Sequence, residues 1–150
     1  MGKFFTSVEK LVEEPRGQAN MIERRGLMDA LDASQNLVWF DANGVIVDAN
    51  DNALRLFAYT GEEILKQDYF ALCGSTDRQQ MADRRQWNKI ASGEMNHTER
   101  SFVGQDGSEV WSSVNFAAIL NDDGTTRRVV AIFIDMGKFA WKPKDTARVF

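Results

Sequence analysis

The sequence predicts an α+β domain in which an antiparallel sheet carries helices on one face. Three observations predict it. Helix-prone segments occupy residues 1–34 and the middle of the chain, the last third is rich in β-branched and aromatic residues, and Asn-Gly or Asp-Gly turns separate the strands. With 150 residues, of which 43% are hydrophobic, the chain is long enough for one such domain with a packed core.

The composition argues against several classes of function. The net charge of −4 leaves no excess of Lys and Arg to neutralise phosphates, which argues against a nucleic-acid-binding protein. Cys73 is the only cysteine and His97 the only histidine, which excludes an internal disulfide, a cysteine zinc cluster and a multi-histidine metal site. No apolar run approaches the roughly 20 residues of a membrane span, and no signal peptide is visible. We therefore expect a cytoplasmic protein without membrane insertion.

The first segment, residues 1–34, is charged and helix-prone, and Pro15 and Gly17 interrupt it. After that break, apolar residues recur near helical spacing with charged residues between them, which predicts an amphipathic helix. These apolar residues are Met21, Ile22, Met28 and Leu31. Two partners stay open for this apolar side: the rest of its own domain, or a second copy of the helix in a homodimer.

Asp-Ala-Asn occurs twice, at 41–43 and 48–50, with a different role each time. The first copy leads into Asn43 and Gly44, and Asn-Gly between two apolar runs is the strongest short hairpin signal because both residues tolerate positive φ. The second copy precedes a short helical pattern, for which Asn50 is a good N-cap. The acidic residues here lack the spacing of a calcium loop, so we do not assign them to a metal.

The middle of the chain predicts short helices followed by a longer one. Thr60 and, three residues later, Glu63 form a capping-box pattern ahead of a short helix. Residues 75–93 predict the longer helix, capped by Ser75 or Thr76 and ending at a glycine. The apolar residues assigned to one side of it are Met81, Trp87 and Ile90.

The last third of the chain predicts three strands joined by hairpins. NHTERSFVG and SEVWSSVNFAAIL flank a Gln-Asp-Gly turn, and NDDG at 121–124 leads into RRVVAIFIDM, whose apolar character suits the middle of a sheet. The alternation within SEVWSSVNFAAIL places two sets of residues on opposite faces. One set is Val110, Ser112, Val114 and Phe116, and the other is Trp111, Ser113, Asn115 and Ala117.

In this order and spacing, the motifs resemble the PAS family of sensor domains over roughly residues 27–136. The resemblance rests on the DANG hairpin, Asn50 nine residues before Tyr59, YTGEEIL, the SGE that ends the long helix, DGSEVW ahead of a strand, and NDDG before the last apolar strand. The resemblance implies a five-stranded antiparallel sheet in the order 2-1-5-4-3, with helices enclosing a cavity against it.

Within that family, the chain is similar to the PAS modules of bacterial chemotaxis and energy-taxis receptors. The similar motifs are AND-N-AL, QWNKIASGE and SEVWSSVNFAAIL. The implied organisation is an N-terminal helical cap or dimerisation segment at 1–34, a PAS domain at 35–136 and a C-terminal extension at 137–150. The resemblance implies a sensor rather than an enzyme, signalling by conformational change to a chemotaxis effector or across a homodimer interface.

The energy-taxis receptors that bind FAD suggest, by resemblance, a flavin site for redox sensing. Trp87 precedes Gly93 by six residues, as a Trp precedes the Gly-Glu pair of those receptors, and Trp111 and Asn115 match their next strand. An indole can wall in an isoalloxazine ring, and an amide can pair with its polar edge. Asp77 matches the acid of the receptors' Arg-His-Pro-Asp stretch, whose basic pair is missing here. The predicted FAD site therefore consists of four residues: Trp87, Trp111, Asn115 and Asp77.

Other functions stay open beside FAD. The interior can hold an apolar or small-molecule ligand, or be filled with side chains in a cofactor-free interaction module. A haem would need an axial ligand, for which His97 is the only candidate, and it lies on a predicted strand near the sheet edge. Alignment with the flavin-adduct branch of the family places Tyr69 at the position of its reactive cysteine. Cys73, four residues later, is interpreted as a small buried apolar residue.

Overall fold

A five-stranded antiparallel sheet organises the larger of two compact units, which divide between Ser34 and Gln35 in a computed structural model that describes residues 18–137. Its strands are β1 (Asn36–Phe40), β2 (Ile46–Ala49), β3 (His97–Val103), β4 (Glu109–Leu120) and β5 (Thr126–Asp135). Their spatial order is β2-β1-β5-β4-β3, which confirms the predicted order. The apolar strand β5 occupies the centre, as its sequence predicted.

The smaller unit contains the predicted amphipathic helix, α1 (Gln18–Ser34). Its apolar side chains are exposed to a large extent: Met21 69%, Ile22 64%, Leu27 47% and Met28 44%. The predicted break at Pro15 and Gly17 lies outside the described residues, as does the predicted C-terminal extension beyond Gly137. In residues 18–137, no helix combines the length and the apolar character needed to cross a membrane.

The larger unit has four helices between β2 and β3. They are α2 (Asp51–Phe57), α3 (Gly61–Ile64), α4 (Tyr69–Cys73) and α5 (Gln80–Ala91). Side-chain caps begin the first two where the sequence predicted them. Asn50 Oδ1 accepts hydrogen bonds from the N–H groups of Ala53 and Leu37, both at 3.0 Å, so it starts α2 and ties it to β1. Thr60 Oγ1 accepts one from the N–H of Glu63 at 3.2 Å and starts α3.

The β1–β2 hairpin lies at the predicted Asn-Gly pair, but its turn is longer than a two-residue turn. Gly44 has a φ of +90°, whereas Asn43 does not have a positive φ. The carboxylate of Asp41 accepts hydrogen bonds from the N–H groups of Asn43 (2.9 Å) and Val45 (3.0 Å). An aspartate therefore organises a turn that the sequence attributed to the asparagine.

The long helix α5 begins later than predicted and buries a different set of residues. Its N-cap is Gln79 without a side-chain cap, so the predicted capping by Ser75 or Thr76 is wrong. Met81 is 72% exposed, and its assignment to the side of Trp87 is also wrong. Six residues correspond to about 240° around a helix axis, which separates the two side chains. The buried residues of α5 are Asp83, Trp87 and Ile90.

The core lies between the helices and the inner face of the sheet. On β4, Val110, Ser112, Val114 and Phe116 are buried, which confirms the alternation predicted from the sequence. Aromatic rings from both layers fill the space between them. Burial of side chains of this size contributes roughly 1.5–3 kcal/mol each. The largest fully buried side chains are Trp87, Tyr69, Phe40, Phe57, Phe102 and Phe133.

Candidate functional site

Trp87 lies where α5 meets the sheet and the β1–β2 turn. Its side chain is 1% exposed, and its ring centroid lies 5.1 Å from that of Phe40 and 5.0 Å from that of Tyr69. The indole Nε1–H donates a hydrogen bond of 2.9 Å to the main-chain oxygen of Ala42. The indole is therefore enclosed by protein atoms, and its polar group is satisfied within the domain.

A chain of buried and half-buried polar side chains lies next to this aromatic cluster. The Tyr69 hydroxyl donates to Gln86 Oε1 at 2.7 Å. Arg100 Nη1 donates to the same oxygen at 3.1 Å and to Asp83 Oδ1 at 3.0 Å. The other oxygen of Asp83 accepts a hydrogen bond from Ser75 Oγ. We name Tyr69, Gln86, Arg100, Asp83 and Ser75 the interior polar network, and it joins α4, α5 and β3.

Burial sets the ionisation of the groups in and beside this network. It raises the pKa of the Cys73 thiol to about 12 and also raises the pKa of the Tyr69 phenol, so both are neutral at pH 7. Desolvation lowers the pKa of Arg100, but attraction to the Cys73 thiolate, which forms only at high pH, and the hydrogen bond to Asp83 outweigh that effect and raise it. Arg100 Nη1 lies 3.0 Å from Asp83 Oδ1 in an ion pair whose side chains are 24% and 11% exposed.

The four residues predicted to hold FAD lie in separate places. Trp87 is inside the domain, whereas Trp111 and Asn115 lie on the outer face of β4 and Asp77 is exposed ahead of α5. Asn115 Oδ1 is 2.9 Å from Nδ1 of His97, its neighbour on β3. A flavin cannot contact both faces of a sheet, so this set of residues does not fit FAD. The Asn115 amide, which was expected to pair with the polar edge of the flavin ring, lies on the sheet face away from Trp87.

The two other residues considered as functional candidates are Cys73 and His97. Cys73 is buried in α4, in agreement with its interpretation as a small apolar residue. His97 begins β3, which is an edge strand, and its side chain is exposed. Within the described part of the chain, no group of three or more His, Cys, Asp and Glu side chains is placed to hold a metal ion.

Sequence reasoning missed the interior polar network, although two signals for it were present. Asp83 lies three residues before Gln86 and four before Trp87, and Gln86 lies four residues before Ile90, so helical spacing brings both polar residues close to the buried side of α5. Arg100 alternates with Phe102 and so shares the inner face of β3. A charge on a buried helix stripe and an opposite charge on an inner strand face indicate an ion pair between the two layers.

The family and sequence comparisons agree with this architecture. Residues 35–138 match the PAS domain family. Biofilm dispersion protein BdlA from Pseudomonas aeruginosa is 31% identical over 109 residues, which cover 73% of this chain and 26% of that protein. The chain thus spans about a quarter of the length of this relative.

Solved structures share the fold. A domain of a sensory box sensor histidine kinase/response regulator from Geobacter sulfurreducens matches with a TM-score of 0.61 and 26% identity, covering 79% of this chain and all of that one. A light-oxygen-voltage domain studied with a flavin analogue matches with a TM-score of 0.61 and 25% identity, covering 83% of this chain and 90% of that one. A PAS domain from Colwellia psychrerythraea, at 18% identity, matches in fold with a TM-score of 0.65 over 79% and 98% of the two chains. This chain belongs to the PAS domain family, whose members are sensory modules and generally not enzymes.

Proposed function

We propose that this chain is a PAS signalling module of a chemotaxis-type protein that works through protein contacts, with an interior filled by its own side chains. The observation that carries the proposal is the enclosure of Trp87 between Phe40 and Tyr69, in the space that the PAS resemblance assigns to a ligand. The chemotaxis-type role is supported by the similarity of AND-N-AL, QWNKIASGE and SEVWSSVNFAAIL to receptor modules. The match to one quarter of BdlA supports a role as one module of a signalling protein.

The interior polar network supplies a physical route for the signal. Arg100 on β3 is hydrogen-bonded to Asp83 and Gln86 on α5, so a displacement of the helix is transmitted to an edge strand of the sheet. A module of this kind signals when a partner binds one arrangement of helix and strand better than another. No ligand is needed in the interior for that step, and no covalent chemistry is involved.

We infer that α1 mediates a homodimer. Four of its apolar side chains are at least 44% exposed, and a helix that exposes this much apolar surface gains free energy by pairing. Met21 and Met28 are seven residues apart, the spacing of a two-helix seam. Sedimentation of Met21→Glu/Met28→Glu should give a monomer where the wild type gives a dimer. The same mass for both proteins rejects this inference.

The absorption spectrum of the purified protein tests the filled interior. We expect no flavin bands after incubation with FAD and removal of the free cofactor. The alternative, a redox sensor with bound FAD, draws support from the 25% identity to a light-oxygen-voltage domain. A stoichiometric flavin that is lost in Trp87→Phe and kept in Trp111→Phe would overturn the proposal. Tight binding of another small molecule that protects Trp87 fluorescence from quenching would overturn it as well.

A further inference from the structure

The exposed side of α5 borders a groove that is separate from the interior polar network. The groove has a volume of about 510 Å³. We name it the α5 groove, and its lining residues are Asp77, Gln80, Met81, Arg84, Arg85 and Asn88. A smaller groove of about 180 Å³ shares Gln80 and Arg84 with it and extends the surface to Asp68 and Phe70.

The α5 groove is positively charged, although the whole chain has a net charge of −4. Arg84 and Arg85 line it, and Lys89 is exposed on the same helix. The one acid of α5, Asp83, is buried and pairs with Arg100 at 3.0 Å. Throughout residues 18–137, no carboxylate lies within ion-pair distance of Arg84 or Arg85. The arginines of the groove therefore attract negative charge, because no carboxylate of residues 18–137 pairs with them directly.

An apolar side chain lies between the two arginines. Around the helix axis, Met81 is located between Arg84 and Arg85, and it is 72% exposed. Methionine adapts its shape to apolar partners. The Arg84 guanidinium lies 4.6 Å from the ring centroid of Phe70, which restricts its motion before any partner binds. Such preorganisation lowers the entropy lost on binding.

We propose that the α5 groove binds an acidic, amphipathic segment of a partner protein. Carboxylates of the segment pair with Arg84 and Arg85, and an apolar side chain of the segment covers Met81. Residues 80–88 extend along about 12 Å of helix, which accommodates roughly two turns of a helical segment. The proposal rests on the proposed function, since it names the surface through which the module engages its partner.

The lining of the groove favours a protein segment over a polyanion. Asp77 lines one end of it, and Asp68 lies in the adjoining groove. These carboxylates repel a continuous row of phosphates, as in RNA or on an anionic membrane. A peptide can place acids opposite the arginines alone and leave neutral residues opposite the aspartates.

Selection of peptides on the full chain tests the proposal. Random displayed peptides of about 12 residues, roughly three helical turns, are selected on the wild type, and binders to Arg84→Glu/Arg85→Glu are removed. We expect the enriched peptides to be acidic with at least one apolar residue. We expect their affinity to fall at least about tenfold in the double variant and to weaken with salt. Met81→Asp, a change at a highly exposed side chain, should weaken binding too.

Arg127→Glu/Arg128→Glu is the matched control, since it makes the same change of charge at two exposed arginines of β5. Its affinity should stay within about twofold of the wild type. Amide shifts caused by an enriched peptide should concentrate on residues 77–89. Equal loss in both double variants, shifts that avoid α5, or enriched peptides without acids would each overturn the proposal. Binding of phosphatidylglycerol vesicles or single-stranded RNA, with no peptide enriched, would also overturn it.

The two proposals fail in different ways. A flavin-containing protein that still binds acidic peptides through Arg84 and Arg85 would reject the filled interior and retain the α5 groove. A flavin-free protein that enriches no acidic peptide would reject the groove and retain the filled interior.

Discussion

Gly44 and Trp87 are in such close contact that a Cβ atom on Gly44 would lie 3.2 Å from Cε2 of the indole. The glycine belongs to the β1–β2 turn and the tryptophan to α5. The two elements are also joined by the hydrogen bond from Trp87 Nε1 to Ala42 O. The turn therefore fixes the position of the helix against the sheet, and the contribution of this contact to stability can be measured.

We expect Gly44→Ala to lower the free energy of unfolding by roughly 2–4 kcal/mol, because the φ of +90° strains an alanine and its methyl group meets Trp87. Gly124→Ala is the control, with a φ of +87° and no atom within 4 Å of the added Cβ. It should cost only the backbone strain, roughly 1–2 kcal/mol. Urea denaturation measures both, and equal losses would show that the contact with Trp87 costs nothing.

Trp87→Ala should destabilise the domain by roughly 3–5 kcal/mol, since it leaves a cavity between Phe40 and Tyr69. Trp111→Ala removes the same side chain from the outer face of β4 and should cost clearly less. Thermal and urea unfolding of the two variants measure the difference. If Trp111→Ala is the more damaging change, the assignment of inner and outer sheet faces is wrong.

Arg100→Gln should lower stability by roughly 2–4 kcal/mol, because it leaves the Asp83 carboxylate, 11% exposed, without its positive partner. Asp83→Asn alone should also destabilise. In a double-mutant cycle the combined loss should be smaller than the sum by about 1–2 kcal/mol, since the two residues contact each other. The exposed pair His97 and Glu99, 3.6 Å apart, is the control and should show no such coupling. Additive losses for Arg100 and Asp83 would mean that the network does not join β3 to α5.

Stability should fall at alkaline pH because of Cys73. The pKa of its thiol is about 12 in the folded protein against an ordinary value of 9.0, so the folded state keeps a proton that the unfolded state releases. The contribution of the protonated Cys73 thiol to the free energy of unfolding is complete below pH 9.0. It is lost as the pH rises towards about 12, and the free energy of unfolding then falls by up to about 1.4 kcal/mol per pH unit.

Cys73→Ala should remove this slope just above pH 9.0, and urea titrations of both proteins at closely spaced pH values measure it. Burial also raises the pKa of Tyr69, whose ordinary value is 10.0, so a second loss of stability should begin only above that pH in both proteins. Identical slopes for wild type and variant between these two values would contradict the assignment to Cys73.

Local chemistry explains the features that were predicted correctly. At the helix starts, the side chains of Asn50 and Thr60 accept hydrogen bonds from N–H groups three residues later. Such short-range interactions can be predicted from the sequence. In the hairpin turns at 104–108 and 121–125, Asp106 and Asp123 accept hydrogen bonds from N–H groups two residues later, which is again a local interaction. The start of α5 was misjudged since Ser75, a good cap by residue type, is bonded to Asp83 instead.

The sequence by itself determined which segments form helices and strands, the order of the strands through the PAS motifs, and the existence of two faces on β4. Only the tertiary structure decided that Trp111 and Asn115 face away from Trp87, because alternation defines two faces without saying which one the helices cover. It also decided which arginine pairs with Asp83: Arg100 does, whereas Arg84 and Arg85 lie within ion-pair distance of no carboxylate in residues 18–137. Those outcomes depend on how α5 packs against strands distant in the sequence, and no local pattern encodes that geometry.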